Sequence, residues 1–144
     1  MELKVYKEIP ARLPSRKLQE LFRRVVRSEG KTRWAAHVNL IICSDARIAS
    51  LNRRFRKIDH ATDVLSFNLD SPEAAGDTFG EIYIAWPYLR RQAAGLRRGV
   101  HEEFLLLVCH GLLHLFGHDH DNRARERAMF ERQTRYLNKS GGRG

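Results

Sequence analysis

Cysteine is scarce in this chain. The only two, Cys43 and Cys109, each stand inside an apolar segment. Buried free thiols in a reducing compartment are therefore expected in preference to a disulfide. Long hydrophobic runs are also missing. The most apolar stretch, Phe104 to Phe116, carries two histidines and is too short to cross a bilayer. The amino-terminal residues Met1 to Glu8 lack the apolar core of a signal peptide. A cytoplasmic protein with no membrane attachment is the expectation. Acidic residues are in the minority as well: 17 Asp plus Glu face 26 Lys plus Arg, for a net charge of +9. Arginine dominates that excess, and guanidinium matches phosphate with a flat fork of donors. The expected partner is therefore a polyanion, with nucleic acid ahead of membrane.

The 144 residues suit a single domain, with a tail fraying from about residue 139, and a hydrophobic share of 42 % is ordinary for a globular chain. No internal repeat or interdomain linker is visible. Residues 2–8 alternate apolar and polar, as a half-buried or edge strand does. After Pro10 and Pro14, Ser15 is expected to cap a helix with Leu18, Leu21, Phe22, Val25 and Val26 on one face, ended by Gly30. A strand over 36–43 follows. Next comes a short helix capped by Ser44 or Asp45 and running through Asn52, then a basic loop from Arg53 to Thr62. Residues 63–69 and 80–85 read as a hairpin joined by a mobile loop with Pro72, Gly76 and Asp77. Pro87 suits the first turn of a helix reaching about Gly95. Residues 100–116 read as an interior helix stopped by Gly117, and residues 122–137 as a charged final helix. The fold class expected is α+β: a small mixed sheet of about four strands packed against about five helices.

Four of the seven histidines fall within residues 110–120, in His110-Gly-Leu-Leu-His114-Leu-Phe-Gly-His118-Asp-His120. Positions four apart share a helix face, so His110 and His114 can aim two imidazoles at one ion. A stop at Gly117 would turn the chain back. Spacing alone leaves His118, Asp119 and His120 open as the third donor, and His120 is preferred. Three protein nitrogens and one open position make the arrangement of a catalytic zinc site, whereas a structural site is closed by a fourth ligand. The zinc-peptidase pattern HExxH carries its general base at the second position, which here is Gly111. Glu103, two helical turns before His110, can face the same pocket, hold a neighbouring arginine, or lie on the surface.

These residues resemble the YbeY family of bacterial endoribonucleases, whose hallmark is His-Gly-x-Leu-His-Leu-x-Gly-Tyr-Asp-His. The segment HGLLHLFGHDH at 110–120 matches it except at His118, where the family usually has Tyr. Asn52 to Phe67 resembles N-x-x-[YF]-R-x-x-D-x-P-T-D-V-L-S-F, with Ala61 in place of the common Pro, and Gly80-Glu81-Ile82 resembles Gly-Asp-Ile. The resemblance implies one zinc ion held by His110, His114 and His120, and Arg56 as a functional cation in the cleft. It also implies cleavage of single-stranded RNA, in ribosomal RNA maturation (the small-subunit 3′ end included) and ribosome quality control. His118 adds an imidazole able to compete for the metal or alter its water's surroundings.

The expected chemistry is hydrolysis of a phosphodiester, with zinc activating water and Arg56 neutralising charge on the phosphoryl oxygens. His118, Asp119 and Glu103 are the candidates for a proton donor. Arg53, Arg54 and Lys57 are expected to guide the strand through its phosphates. Phe55, Phe67, Tyr83 and Trp86 are expected in the core rather than as stacking faces. Two other readings compete. One is a different zinc hydrolase, peptidase-like or a deaminase, although the Pro-Cys-x-x-Cys run of deaminases is absent. The other is a non-catalytic, ribosome-associated RNA-binding module with structural zinc.

Overall fold

The computed structural model describes residues 1–30, 37–69 and 78–140. The elements run β1 (Glu2–Lys7), α1 (Ser15–Glu29), β2 (His37–Cys43), α2 (Asp45–Arg56), β3 (Val64–Asn68), β4 (Thr78–Ala85), α3 (Trp86–Gly95), α4 (Val100–Leu115) and α5 (Arg123–Ser140). The four strands form one sheet in the order β1-β2-β4-β3. β1, β2 and β4 are parallel, and β3 closes the far edge antiparallel to β4. The α+β architecture, the edge position of the first strand and the β3–β4 hairpin agree with the sequence patterning. The hairpin connection, expected as a mobile loop, lies outside the described residues, as does residue 36 of the expected second strand.

Strand alternation sorts the sheet residues between two faces. Leu3, Val38, Leu40, Ile42, Ile82 and Ile84 point into the larger core, where they meet Leu21 and Phe22 of α1 and Phe104, Val108 and Leu112 of α4. Ile41, Cys43, Tyr83 and Ala85 face the other way and are covered by Ile48 and Leu51 of α2. α4 packs against the sheet and against α1, α3 and α5, which is why its sequence is apolar almost all round. Among the described residues no helix is long and apolar enough to cross a membrane. Cys43 and Cys109 are both buried and free, and burial pushes each thiol up to about 12.

Two glycines set how closely α4 approaches the sheet. A Cβ at Gly80 would stand 2.7 Å from a Leu115 methyl and 2.9 Å from the Phe67 carbonyl oxygen. A Cβ at Gly111 would stand 3.1 Å from Ile82 Cγ2. Gly80→Ala is expected to destabilise the fold by about 1–3 kcal/mol, because one neighbour is backbone and cannot rotate away. Urea unfolding of the variant beside the wild type measures this.

Three boundaries differ from the sequence reading, each for a local reason. Ser15 is the first helical residue rather than the cap, with Pro14 at the cap position and no side-chain capping bond. α2 does not stop at Asn52 but continues to Arg56, so the expected basic loop begins four residues later. Its last turn carries Arg53, Arg54 and Arg56, cations that complement the carboxyl end of a helix, and Lys57 ends it at φ 60°. α5 extends to Ser140 and so takes up the start of the expected tail. Asn122 stands before it as a cap, accepting from the Arg125 N–H at 2.9 Å.

Candidate metal centre

Helical spacing sets His110 and His114 one turn apart near the carboxyl end of α4, facing a cleft shared with β3. A third imidazole can join them only if the helix stops. Gly117 provides the stop with φ +97°, a left-handed conformation that costs glycine little. The N–H groups of Gly117 and His118 donate back to the carbonyls of His114 and Leu113. The chain then reverses, and His120 arrives beside the other two. One ring nitrogen from each of His110, His114 and His120 lies within 4.8 Å of the others. The ring centroids are 4.7, 5.2 and 5.8 Å apart.

The electrostatics of the three rings suit a cation. Burial depresses the pKa of His110 most, helped by His120 and opposed by a hydrogen bond with Gln133 and by Asp63. Burial likewise leads for His114, with His110, His120 and Arg56 adding to the depression against Asp119. Both are therefore biased toward neutral imidazole, the form that binds metal. His110 Nδ1 lies 3.1 Å from Gln133 Oε1, so it donates there and leaves Nε2 with its lone pair free. Gln133 is 9 % exposed on α5. Gln133→Leu keeps an apolar-compatible volume but removes that acceptor. It is expected to weaken zinc binding about 10–100-fold, read by competition with a chelator of known affinity.

The surrounding cleft has a volume of about 580 Å³. Arg56, the last residue of α2, lines it and donates from Nη2 to the Ser66 carbonyl at 2.9 Å. Its guanidinium carbon lies 5.1 Å from the centre of the Phe67 ring. Asn68 donates to the Leu115 carbonyl at 2.9 Å, which ties β3 to the end of the histidine helix.

Asp63 and Asp119 are the carboxylates that line the cleft. Asp63 accepts from the Val64 N–H at 2.8 Å and from Gln92 at 3.0 Å. The same Gln92 amide donates to Glu103 at 2.8 Å. Glu103 itself is 2 % exposed and away from the cleft, where it holds Arg98 at 2.8 Å, one of the roles expected for it. Sequence reasoning missed Asp63 and Gln133 as site residues. Asp63 stood inside a recognised block, but nothing in the sequence joined Gln133 to His110 across 23 positions.

Other expected residues fall elsewhere. His118 turns away from the triad, its Nε2 donating to Glu29 Oε1 at 2.9 Å, so it neither competes for a metal nor offers a proton to the cleft. Glu29 is the last residue of α1. Burial raises its pKa, but hydrogen bonds from Tyr136 and His118 and the charge of Arg132 hold it below the ordinary carboxylate value. Arg53 is paired with Asp59 at 3.0 Å, and Arg54 rests 5.3 Å from the Phe55 ring centre. Phe55 is 55 % exposed rather than in the core, because the extra turn of α2 lifts it to the surface, whereas Tyr83 and Trp86 are buried as expected.

Residues 5–141 match the family described as "Endoribonuclease YbeY". The chain belongs to the YbeY family. Among its YbeY relatives, the Endoribonuclease YbeY of Anaeromyxobacter dehalogenans is 38 % identical over 106 residues, covering 74 % of this chain and 55 % of that protein. The Endoribonuclease YbeY of Thermotoga maritima is 38 % identical over 109 residues, covering 74 % of this chain and 69 % of that protein. This chain thus spans little more than half the length of the Anaeromyxobacter relative. The solution structure of TM1509 from Thermotoga maritima superposes with a TM-score of 0.67 at 31 % identity, covering 97 % of this chain and 89 % of that one.

Proposed function

We propose that this YbeY-family chain is a zinc-dependent endoribonuclease, one domain over residues 1–144, hydrolysing phosphodiester bonds of single-stranded RNA in the cytoplasm. The observation that carries the reading is the meeting of three imidazoles and an arginine in one open cleft. Three nitrogen donors with no thiolate or carboxylate among them fit a single zinc ion that keeps an exchangeable position. When bound, zinc supplies Lewis acidity and lowers the pKa of coordinated water to about 7.

The chain's own residues supply the rest. His110 and His114 hold their lone pairs toward the ion site, and Gln133 fixes the tautomer of His110. Arg56 uses Nη2 for its bond to Ser66, and among the described residues its other guanidinium donors are open to meet the non-bridging oxygens of a phosphodiester as their charge grows. Asp63 and Asp119 take the proton-transfer roles, since His118 and Glu103 do not reach the cleft. The excess of arginine over the surface suits a phosphate backbone.

Within RNA, the resemblance implies ribosomal RNA, the 16S 3′ end and the small subunit as the substrate context, with quality control of ribosomes as the wider task; the family name, Endoribonuclease YbeY, supports the RNA part of that reading. A peptidase is disfavoured by more than the missing glutamate. A Cβ at position 111 would press on the Ile82 side chain at 3.1 Å, so a glutamate there would need that side chain to shift. A structural zinc in a non-catalytic module is disfavoured by the three-donor set.

The test is to incubate zinc-loaded protein with unstructured RNA and with casein. RNA cleavage that a chelator stops and zinc restores is the expected result. Casein hydrolysis without RNA cleavage, or unfolding on zinc removal with no activity in either assay, sinks the reading.

A further inference from the structure

We propose that Glu29 is a positioning residue for the metal centre, acting through His118 to hold the turn that delivers His120. The inference rests on the metal reading above and adds to it a control point on a different helix.

The three imidazoles are not held equally. His110 and His114 are fixed by the backbone of α4, and His110 has the additional bond with Gln133. His120 lies beyond the helix, its side chain 55 % exposed; besides the other two imidazoles, its ring has Asp119 nearby at 3.8 Å. Where that ring sits is therefore decided by the turn from Gly117 to Asp121. The turn's other bonds are local. Gly117 and His118 donate to the carbonyls of α4, His120 N–H donates to Asp119, and Asp121 pairs with Arg125 at 3.7 Å. Among the described residues, the bond from His118 to Glu29 is the one that fastens this turn to an element other than its two flanking helices.

Glu29 is built to be a fixed point. It is 9 % exposed at the side chain, and each oxygen is engaged: Oε1 accepts from His118, and Oε2 accepts from Arg132 at 2.7 Å and from the Tyr136 hydroxyl at 2.5 Å. A carboxylate withdrawn from water with cationic partners seldom adds net stability, because desolvation offsets the Coulomb gain. Its value is geometric. The carboxylate cannot rotate without breaking bonds to α5, so His118 cannot move far while it is bound. Arg132 is also the neighbour of Gln133, so one turn of α5 sets both the orientation of His110 and the anchor behind His120.

The experiment is a zinc titration of the full chain against a chromophoric chelator, for the wild type, His118→Phe, His118→Tyr, Glu29→Gln and the double variant Glu29→Gln/His118→Phe. Circular dichroism and thermal unfolding of the zinc-free proteins report the fold separately. His118→Phe is expected to weaken zinc about 10–100-fold. His118→Tyr, whose phenol can donate to the same carboxylate, is expected to recover most of that loss. The double variant is expected to be no weaker than the worse single one, as two members of one chain of contacts behave. Zinc affinity unchanged in His118→Phe overturns the proposal, whether or not its melting temperature falls. A loss that tyrosine does not recover also overturns it, since packing and not the hydrogen bond would then be responsible. Wild-type protein that takes up no zinc removes the metal reading itself, and this proposal with it. That result is distinct from unchanged affinity in the variants.

Discussion

His114→Ala is expected to leave a folded protein that retains no zinc at micromolar concentration and cleaves RNA no faster than chelator-treated wild type. His114 is only half-buried and lines an open cleft, so its truncation creates no sealed cavity in the core. What is lost is one of three donors, and with it the site's hold on the ion. The acidity gap between bulk and zinc-bound water is about nine pKa units, so the variant forfeits its nucleophile at neutral pH. Elemental analysis for zinc, circular dichroism and an RNA cleavage assay on the same preparation check each link. Normal cleavage by His114→Ala protein would remove the triad from the chemistry. A protein that unfolds would instead show His114 to be a core residue, which its place in the cleft argues against.

The residues that meet in this cleft were legible in the sequence to different degrees, and the reason is distance along the chain. His110 and His114 lie on one helix, so their convergence follows from 3.6 residues per turn. Gly117 announces the turn that adds His120. Periodicity likewise exposed the mixed sheet, the hairpin and the interior helix α4, because each is a local pattern of apolar residues. Contacts that cross between elements left no such trace. His118 was read as part of the metal's surroundings because it sits between two ligands, yet its side chain leaves toward Glu29, 89 positions away. The bonds between His110 and Gln133 and between Gln92 and Asp63 are equally silent, since a glutamine on a helix surface and one that orients a ligand look alike in sequence. Helix α2 was cut short for a different reason. A run of arginines reads as a loop by polarity, but it stabilises a helix end by charge.

Arg56→Ala separates binding of the ion from stabilisation of the reaction. The guanidinium bonds Ser66 and packs over Phe67, and none of the three is among the grouped donors His110, His114 and His120, so zinc content is expected to match the wild type. The rate is not. Removing a preorganised donor aimed at developing negative charge typically lowers kcat by about 10²–10³-fold, and that is the range expected here. Because the phosphodiester already carries one negative charge and gains more on its phosphoryl oxygens as the nucleophile adds, kcat should fall by a larger factor than KM rises, whereas a mere RNA-docking role would raise KM with kcat intact. Arg56→Lys should recover only part of the rate, since an ammonium offers a point charge without the planar fork that the Ser66 carbonyl and Phe67 ring hold in register. Single-turnover cleavage with saturating protein reads the chemical step directly. Metal-free Arg56→Ala protein would move the arginine into the ion's support. Unchanged single-turnover rates would reduce it to a surface contact.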